Sequence, residues 1–209
     1  MNRDCQAGKF TLSEIRDTYS KNTDIVYIIE KGEPVYFLLL DRFNKQKTVY
    51  IHDVCLNNQY RGKGIFKKSL AFLKDHYSKI GFKSFTLDAS DSTKEEGLNQ
   101  KARIHIFHSA GFDINTETGY YKESGDYEII KTVALLDNGD KVEIQERSGD
   151  TYLVKNAKGD EYSITIDKIE KCYDSESNQL SCPMILTLPK MGGRKKRKSR
   201  ITRKKGGSF

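Results

Sequence analysis

The chain has 209 residues and a formal net charge of +7, from 36 basic and 29 acidic residues. Ten of the basic residues lie between Lys190 and Lys205, a stretch without acids, so the rest of the chain is slightly acidic. Hydrophobic residues make up 36% of the chain, enough for a packed core, but the longest apolar run, Val35–Leu40, is far too short to span a membrane. No apolar segment follows Arg3 and Asp4, so we expect no secretory signal.

The first 125 residues alternate between strand and helix patterns. Thr11 and Glu14 fit a capping box at the start of a short helix. Apolar residues at helical spacing predict helices at 10–20, 64–80 and 99–110. Alternating or continuous apolar runs predict strands at 24–30, 34–42, 48–56, 82–89 and 112–122. The strand at 34–42 is apolar nearly throughout, as expected for a strand buried on both faces.

From about residue 126 the pattern changes to short strands separated by turns. Three turn glycines, Gly139, Gly149 and Gly159, are ten residues apart. This spacing predicts a β meander or small barrel over residues 126–189, comparable in size to SH3-like and Tudor-like barrels. Tyr127, Tyr152 and Tyr162 could form an aromatic cage for a methylated amine, although packing is the favoured interpretation. The predicted domains are therefore 1–125 and 126–189, followed by a tail.

The tail, residues 190–209, is predicted to be disordered on its own. Its basic runs resemble a nuclear-localisation or nucleic-acid-binding segment, and similar tails occur on proteins of large DNA viruses. A membrane-surface role is less favoured, because no amphipathic apolar face or lipidation signal accompanies the charges. We expect an intracellular protein, cytoplasmic or nuclear, within a host cell if the protein is viral.

The four cysteines form no dense disulfide framework, so reduced thiols are expected. Cys172 and Cys182 are ten residues apart and could pair under oxidising conditions. The histidines show no metal-ligand spacing with nearby acids, and no metal site is predicted.

The segment Gln59-Tyr60-Arg61-Gly62-Lys63-Gly64 lies between an apolar strand and an amphipathic helix. A helix N-terminus exposes amide groups and a partial positive charge, and glycines let the backbone approach a phosphate closely. The segment lacks the GxxxxGK[ST] pattern of a Walker loop and the third glycine of a dinucleotide fingerprint. It fits Q/R-x-x-G-x-G/A instead. An anionic ligand is therefore predicted here.

With these residues the sequence resembles the GNAT superfamily of N-acetyltransferases over about residues 10–125. Val54-Cys55-Leu56 precedes the loop, and the stretch from Asn99 to Ala110-Gly111-Phe112 is similar to a late helix and strand of that family. The order of strands and helices also agrees. The resemblance implies an α+β fold, with a mixed, mostly antiparallel sheet flanked by helices, to which the small β domain is added.

The resemblance also implies how a cofactor is held. Val54, Cys55, Leu56 and Ile65 would adjoin the pantetheine arm and the start of the helix, the amides of Gln59–Gly64 would hold the pyrophosphate of acetyl-CoA, and Asn99 would lie near the cofactor. A primary amine of a protein or small molecule would attack the acetyl thioester. The acceptor and the oligomeric state are not encoded in these motifs.

One position departs from the family pattern. Many members carry, in the late helix, a tyrosine that protonates the leaving thiolate, and here the matching residue is Phe107, whose ring has no proton to donate. Water, Tyr120 or Tyr121 could replace it. The alternative function is therefore a catalytically weak GNAT-like fold that serves as a binding module, with the β domain and the tail recognising nucleic acid or a protein.

Two neighbouring residues of the strand before the loop are candidates for the general base. An imidazole such as that of His52 titrates near neutral pH, and partial burial could raise the pKa of Asp53 into range. Strand alternation predicts that the two side chains point to opposite faces, so that at most one faces the substrate.

Overall fold

The computed structural model describes residues 23–31, 33–56, 58–90, 98–121, 127–175 and 180–189. Two helices are described, α1 (Ile65–Lys79) and α2 (Gln100–Ser109), and Asn58–Tyr60 and Ile166–Lys168 form single 3₁₀ turns. The strands are β1 (Thr23–Glu30), β2 (Glu33–Phe43), β3 (Thr48–Leu56), β4 (Ser84–Asp88), β5 (Asp113–Ile114), β6 (Glu117–Tyr121), β7 (Tyr127–Leu136), β8 (Lys141–Ser148), β9 (Thr151–Asn156), β10 (Glu161–Thr165), β11 (Ile169–Asp174) and β12 (Pro183–Thr187). The helix predicted at 10–20 lies outside the described residues.

The first sheet has the order β1-β2-β3-β4-β12-β5. Its neighbours pair antiparallel except β3 and β4, which are parallel because α1 connects them. The predicted mixed, mostly antiparallel sheet with flanking helices is thus confirmed. The strand predicted at 112–122 is wrong in one respect: it is two strands, and β6 leaves the first sheet to pair with β7.

The core explains why β2 is apolar throughout. Tyr36, Leu38 and Leu40 belong to the main core on the α1 side, whereas Phe37 and Leu39 form a smaller cluster with Cys55 on the other side. All five β2 residues are at most 7% exposed, as predicted for a strand covered on both faces.

Helix α1 lies against this sheet through its apolar stripe. Leu70, Leu73 and Tyr77 are buried in the main core. The Tyr36 hydroxyl lies 2.6 Å from Ser69 Oγ and so connects the middle of β2 to the first half of the helix. The predicted helix over 64–80 is confirmed, with Gly64 as its N-cap.

The second sheet has the order β10-β9-β8-β7-β11, and β6 also pairs with β7. The predicted turns at Gly139, Gly149 and Gly159 connect strands β7 to β10. Tyr152 is buried, and its hydroxyl accepts a hydrogen bond from the Ile114 amide, so packing is its role here. The comparison with SH3-like or Tudor-like barrels stays a prediction.

The two sheets share one continuous core. An ion pair between Arg147 and Asp113 adds a polar contact between them, and another between Lys101 and Glu170 joins α2 to the second sheet. Strand β12, which the sequence-based division assigns to residues 126–189, lies between β4 and β5 of the first sheet. The chain therefore leaves the first sheet after β5, forms the second sheet, and returns to complete the first.

Candidate functional site: a cleft between β3 and β4 ending in a glycine loop

Strands β3 and β4 separate halfway along β3. Their parallel pairing runs from Thr48 opposite Ser84 to Ile51 opposite Leu87 and then stops. On its other edge β3 stays paired with β2 as far as Leu56. The edge of the second half of β3 that faces β4 therefore pairs with no strand in the described part of the chain. We call this open edge the cleft, and the chain enters the glycine loop from its end.

The loop has the backbone geometry that an anion cradle requires. Gly62 and Gly64 adopt φ of 74° and 71°, in the left-handed region that only glycine enters readily. A Cβ built on either glycine would meet nothing within 4 Å, so the space around them is open. The first turn of α1 carries no acid, and its amides have no intrahelical acceptor.

Two basic side chains flank the cradle. Arg61 and Lys63 are exposed, and Lys63 Nζ lies 4.9 Å from the centre of the Tyr60 ring. Such charges add to the partial positive charge at the helix N-terminus. The predicted anion site therefore combines two left-handed glycines in open space, the N-terminus of α1 and two cations, and these residues fit a pyrophosphate group.

The other predicted cofactor residues have defined surroundings. Val54, Leu56 and Ile65 pack against the main core, while Cys55 is 2% exposed and is disulfide-bonded, so the expectation of reduced thiols is wrong at this position. Asn99 is the N-cap of α2, and its side chain accepts a hydrogen bond of 2.9 Å from the Ala102 amide. The cofactor roles of these residues stay predictions.

The candidate base His52 occupies an irregularity in β3. Leu39 pairs with Asp53 and Leu40 with Ile51, so His52 is an extra residue without an opposite partner on β2, as in a β-bulge. The bulge interrupts the alternation of side chains. Tyr50 and Asp53 are three residues apart and would point to opposite faces of a regular strand. Because they lie opposite Asp41 and Leu39, which share one face of β2, both point to that same face.

The prediction that His52 and Asp53 point to opposite faces is therefore wrong. His52 packs edge-on against the Tyr50 ring, with ring centres 4.7 Å apart, and its Nε2 lies 2.6 Å from Asp41 Oδ2. Because directly opposed residues share a face, Asp41, Tyr50 and Asp53 lie on one face, and His52 joins them. One extra residue in the strand brings both candidate bases to the same surface.

Asp41 is the functional candidate that the sequence pattern does not reveal. Its carboxylate accepts a hydrogen bond of 2.5 Å from Thr23 Oγ1 and faces His52 through the other oxygen. The strand pattern of β2 shows only a polar residue after an apolar run. Asp41 lies beside the imidazole of His52 because β2 pairs with the bulged strand β3. The residues around Asp41 in the sequence do not indicate this pairing.

A further carboxylate closes the group, which we call the bulge cluster: Asp41, Tyr50, His52, Asp53 and Asp88. The Tyr50 hydroxyl donates to Asp88 Oδ2 at 2.7 Å, and Ser181 Oγ donates to Asp88 Oδ1 at 3.1 Å. Burial raises the pKa of Tyr50 above its usual range, and Asp88 adds to the effect. The cluster thus joins β2, β3 and β4 at the place where β3 and β4 separate.

The two candidate bases, His52 and Asp53, differ in how far they are exposed. The His52 side chain is 43% exposed, so solvent or an acceptor can reach it. Asp53 is partly buried, and this desolvation raises the pKa of its carboxyl, an effect that neighbouring His52 partly offsets. Both groups could accept a proton, His52 from the more open position.

Phe107 belongs to an aromatic group beside the start of α1. Its ring lies 5.7 Å from that of Phe66 and 6.1 Å from that of Phe112, in edge-to-face arrangements. The phenyl ring thus fills an apolar position between α1 and α2. The side chains of Tyr120 and Tyr121, the suggested substitute proton donors, lie outside the described residues.

The described part of the chain contains no group of three or more His, Cys, Asp or Glu residues that could hold a metal ion. None of its helices combines the length and the apolar character needed to cross a membrane.

Several solved acetyltransferases match this chain, although each with a TM-score below 0.5. The ribosomal-protein-S18-alanine N-acetyltransferase from Escherichia coli is 14% identical, with a TM-score of 0.45 over 91% of this chain and 84% of its own. An aminoglycoside 6'-N-acetyltransferase complexed with coenzyme A is 12% identical, with a TM-score of 0.46 over 86% and 81%. An acetyltransferase from Bacillus subtilis in complex with CoA is 14% identical, with a TM-score of 0.44 over 85% of both chains.

No curated protein sequence matches the chain. The family model described as the acetyltransferase (GNAT) family matches residues 4–112, which is more than half of the chain and includes β3, the glycine loop and both described helices. The chain belongs to the GNAT family of acetyltransferases.

Proposed function

We propose that this protein transfers an acetyl group from acetyl-CoA to a primary amine. The observation that carries the proposal is the position of the His52–Asp41 pair. Asp41 lies in β2 and His52 in β3, at the point where the pairing of β3 with β4 ends and a few residues before the glycine loop. A proton acceptor and an anion cradle thus border the same cleft.

The chain's own residues define how acetyl-CoA is held. The amides of Gln59–Gly64 and of the first turn of α1 bind the pyrophosphate, and Arg61 and Lys63 balance its charge. The backbone of Val54–Leu56 runs along the cleft and pairs with the amide groups of the pantetheine arm. When bound, acetyl-CoA supplies an acetyl group activated as a thioester.

His52 acts as the general base. A carboxylate only accepts hydrogen bonds, so Nε2 carries the hydrogen toward Asp41, and Nδ1 of the neutral ring keeps the lone pair. Nδ1 then removes the proton from the acceptor amine during its attack on the thioester carbonyl. Asp41 stabilises the imidazolium that results and fixes the ring orientation, while a strand amide of β3 stabilises the oxyanion.

Phe107 leaves the departing thiolate without a tyrosine donor at that position. Water admitted to the cleft supplies the proton instead, and the hydroxide that remains takes up the proton held by the His52 imidazolium, which restores the neutral base. The alternative of a binding module without turnover depends on Phe107 alone, and the hydrogen-bonded His52–Asp41 pair speaks against it, since a mere binding fold does not require a positioned base.

The acceptor is a primary amine of a protein or small molecule. The carboxylates of Asp41, Asp53 and Asp88 share the face that His52 occupies, and their charge favours acceptors that carry further cationic groups, while the attacking amine itself reacts in its neutral form. The basic tail, residues 190–209, supports a further proposal: that the protein also contacts nucleic acid or acts on acceptors found near it.

The test is a mass-spectrometric acetyl-transfer assay with a panel of amines: lysine peptides, polyamines and aminoglycosides. The wild type should acetylate at least one amine. Asp41→Asn and His52→Gln should lower kcat by about 100-fold or more with little change in the KM for acetyl-CoA. The control, Asp75→Asn, removes an exposed carboxyl on α1 and should keep full activity. Equal activity of all four proteins would exclude His52 and Asp41 from the chemistry.

A further inference from the structure

Two buried cysteines meet where the two sheets join. Cys172 lies in β11 of the second sheet, and Cys182 immediately precedes β12 of the first. Both are 0% exposed, and their sulfur atoms are 2.6 Å apart, much closer than two unbonded sulfurs rest in van der Waals contact. A displacement of about half an ångström would bring them to the S–S bond length of about 2.05 Å.

The backbone on both sides of this pair is held by the buried side chain of Gln100. Its Nε2 donates to the carbonyl of Ala89 at 2.8 Å and to that of Cys172 at 3.2 Å, and its Oε1 accepts from the Cys172 amide at 2.9 Å. The Ala89 amide in turn donates to the Cys182 carbonyl at 2.9 Å. The backbones of the two cysteines are therefore already fixed relative to each other, and joining their sulfurs requires little backbone movement.

We propose that Cys172 and Cys182 form a disulfide that fastens the second sheet to the acetyltransferase sheet. The bond closes a short loop and links β11 to the strand that lies between β4 and β5. Neither the fold family nor the proposed acetyl transfer requires this bond.

The oxidant is a low-molecular-weight disulfide such as oxidised glutathione. One cysteine thiolate attacks a glutathione sulfur and releases the first glutathione as a thiolate, which leaves a mixed disulfide. The second cysteine then attacks the protein sulfur of that mixed disulfide and releases the second glutathione. Two cysteine thiols are oxidised, two glutathione thiols are formed, and the two protons leave with them or pass to solvent.

Burial makes the reduced pair slow to react with low-molecular-weight disulfides in the native state. The pKa of the Cys182 thiol is raised, first by burial and then by its contact with Cys172, so the reactive thiolate is scarce at neutral pH. Oxidation therefore takes place while the two thiols are accessible, either during folding or during a local opening of the native state.

The bond lies next to the bulge cluster. Ser181, the neighbour of Cys182, donates to Asp88, and Asp88 accepts from Tyr50, which packs against His52. A disulfide at Cys182 restrains the neighbouring Ser181 and thereby restrains Asp88, which accepts the hydrogen bond of Ser181. The oxidised protein should hold the cluster more rigidly than the reduced one.

The first test maps the bond in the full-length protein. The protein is refolded in a buffer of reduced and oxidised glutathione, denatured, alkylated without reduction, and digested with trypsin. Trypsin cleaves after Lys171 and Lys190 and leaves both cysteines in one peptide. We expect this peptide without alkyl groups and two hydrogens lighter than the dithiol. A second digestion, on the amino side of Asp174, should give two peptides that separate only after reduction.

The second test measures stability. Reduction should lower the thermal midpoint of the wild type by about 5 to 10 °C more than it lowers that of Cys172→Ser or Cys182→Ser. The serine variants keep the disulfide at Cys55, so the difference isolates the bond between Cys172 and Cys182. A buried serine lowers the thermal midpoint of a variant with and without reductant alike. The comparison therefore uses the shift that reductant causes in each protein and not the midpoint itself.

The proposal is overturned if both cysteines of the refolded protein are alkylated without prior reduction. It is also overturned if reduction shifts the midpoints of the wild type and the serine variants equally. Either result is independent of acetyl transfer, because no substrate is present in these measurements.

Discussion

At the scale of single residues, one extra position in β3 decides how the candidate site is built. A regular strand would point His52 and Asp53 to opposite faces. The bulge at His52 instead leaves the imidazole exposed, beside Asp41 and Tyr50, with Asp53 on the same surface. The proposed base and its neighbours are therefore brought together by a local irregularity and not by a sequence motif.

The pKa shift of Asp53 predicts how stability depends on pH. Burial raises the pKa of this carboxyl in the folded state, so the folded protein binds a proton more tightly than the unfolded chain. The stability it contributes is fully present below the unfolded pKa of about 4 and is lost as the pH rises through the folded value.

Asp53→Asn should accordingly melt at a higher temperature than the wild type at pH 7, and the difference should vanish below about pH 4. Thermal denaturation across this pH range checks it, with Asp150→Asn, an exposed turn residue, as the control for removing one charge. A difference that is constant with pH would contradict a raised pKa at Asp53.

Individual residues differ in how far sequence alone could assign them. Gly62 and Gly64 were predictable, because a glycine pair between a strand and a helix has few structural meanings other than close backbone approach. Asp41 and Asp88 were not, because each is an isolated polar residue in its own strand. Only the pairing of β2, β3 and β4 brings them to His52 and Tyr50.

At the scale of elements, α2 is fixed by one buried side chain. Gln100 connects the first turn of this helix to the end of β4 and to β11 through three hydrogen bonds, and it is 0% exposed. The ion pair between Lys101 and Glu170 joins the same elements, but both side chains are about one third exposed. Buried bonds of this kind outweigh a solvent-screened pair.

Replacing Gln100 with leucine should therefore lower the free energy of unfolding by about 3 kcal/mol, since it leaves the Cys172 amide buried without an acceptor. Lys101→Gln should cost within about 1 kcal/mol. Urea denaturation of both variants under one fixed redox condition provides the measurement. Equal losses would mean that Gln100 does not hold the helix in the way its geometry indicates.

The elements themselves were largely predictable, but the destination of the last strand was not. Periodicity located β3 and α1 within one residue, because their apolar patterns are long and regular. Strand β12 follows the second sheet in sequence, and the sequence pattern groups it with that sheet. Its insertion between β4 and β5 depends on pairing across about 70 residues to β5 and about 100 residues to β4, which a local pattern does not encode.

At the scale of the whole molecule, charge is divided between two regions. The body is slightly acidic, and the bulge cluster adds carboxylates at its candidate site, whereas residues 190–209 carry the excess positive charge. Such a division suits a protein that brings its body to an anionic partner through the tail. The distribution of charged residues along the sequence reveals this division without knowledge of the fold.

Deletion of residues 190–209 should reduce binding to duplex DNA and leave acetyl-CoA binding unchanged. If about six tail charges contact phosphates, the logarithm of the affinity should fall with the logarithm of salt concentration at a slope of roughly −5 in the full chain. Fluorescence anisotropy over a salt series measures the slope. Unchanged DNA binding after deletion would place the contact elsewhere.

The claim that the glycine loop holds acetyl-CoA is tested most directly by calorimetric titration of the full chain and two matched variants. Gly64→Glu and Gly81→Glu each add one negative charge and one side chain at a glycine with positive φ, 71° and 90°, in open space. Only Gly64 lies in the loop. We predict that acetyl-CoA binds the wild type and Gly81→Glu, and that Gly64→Glu loses binding through repulsion of the pyrophosphate. Absence of binding to the wild type, or equal binding to all three proteins, would contradict this account.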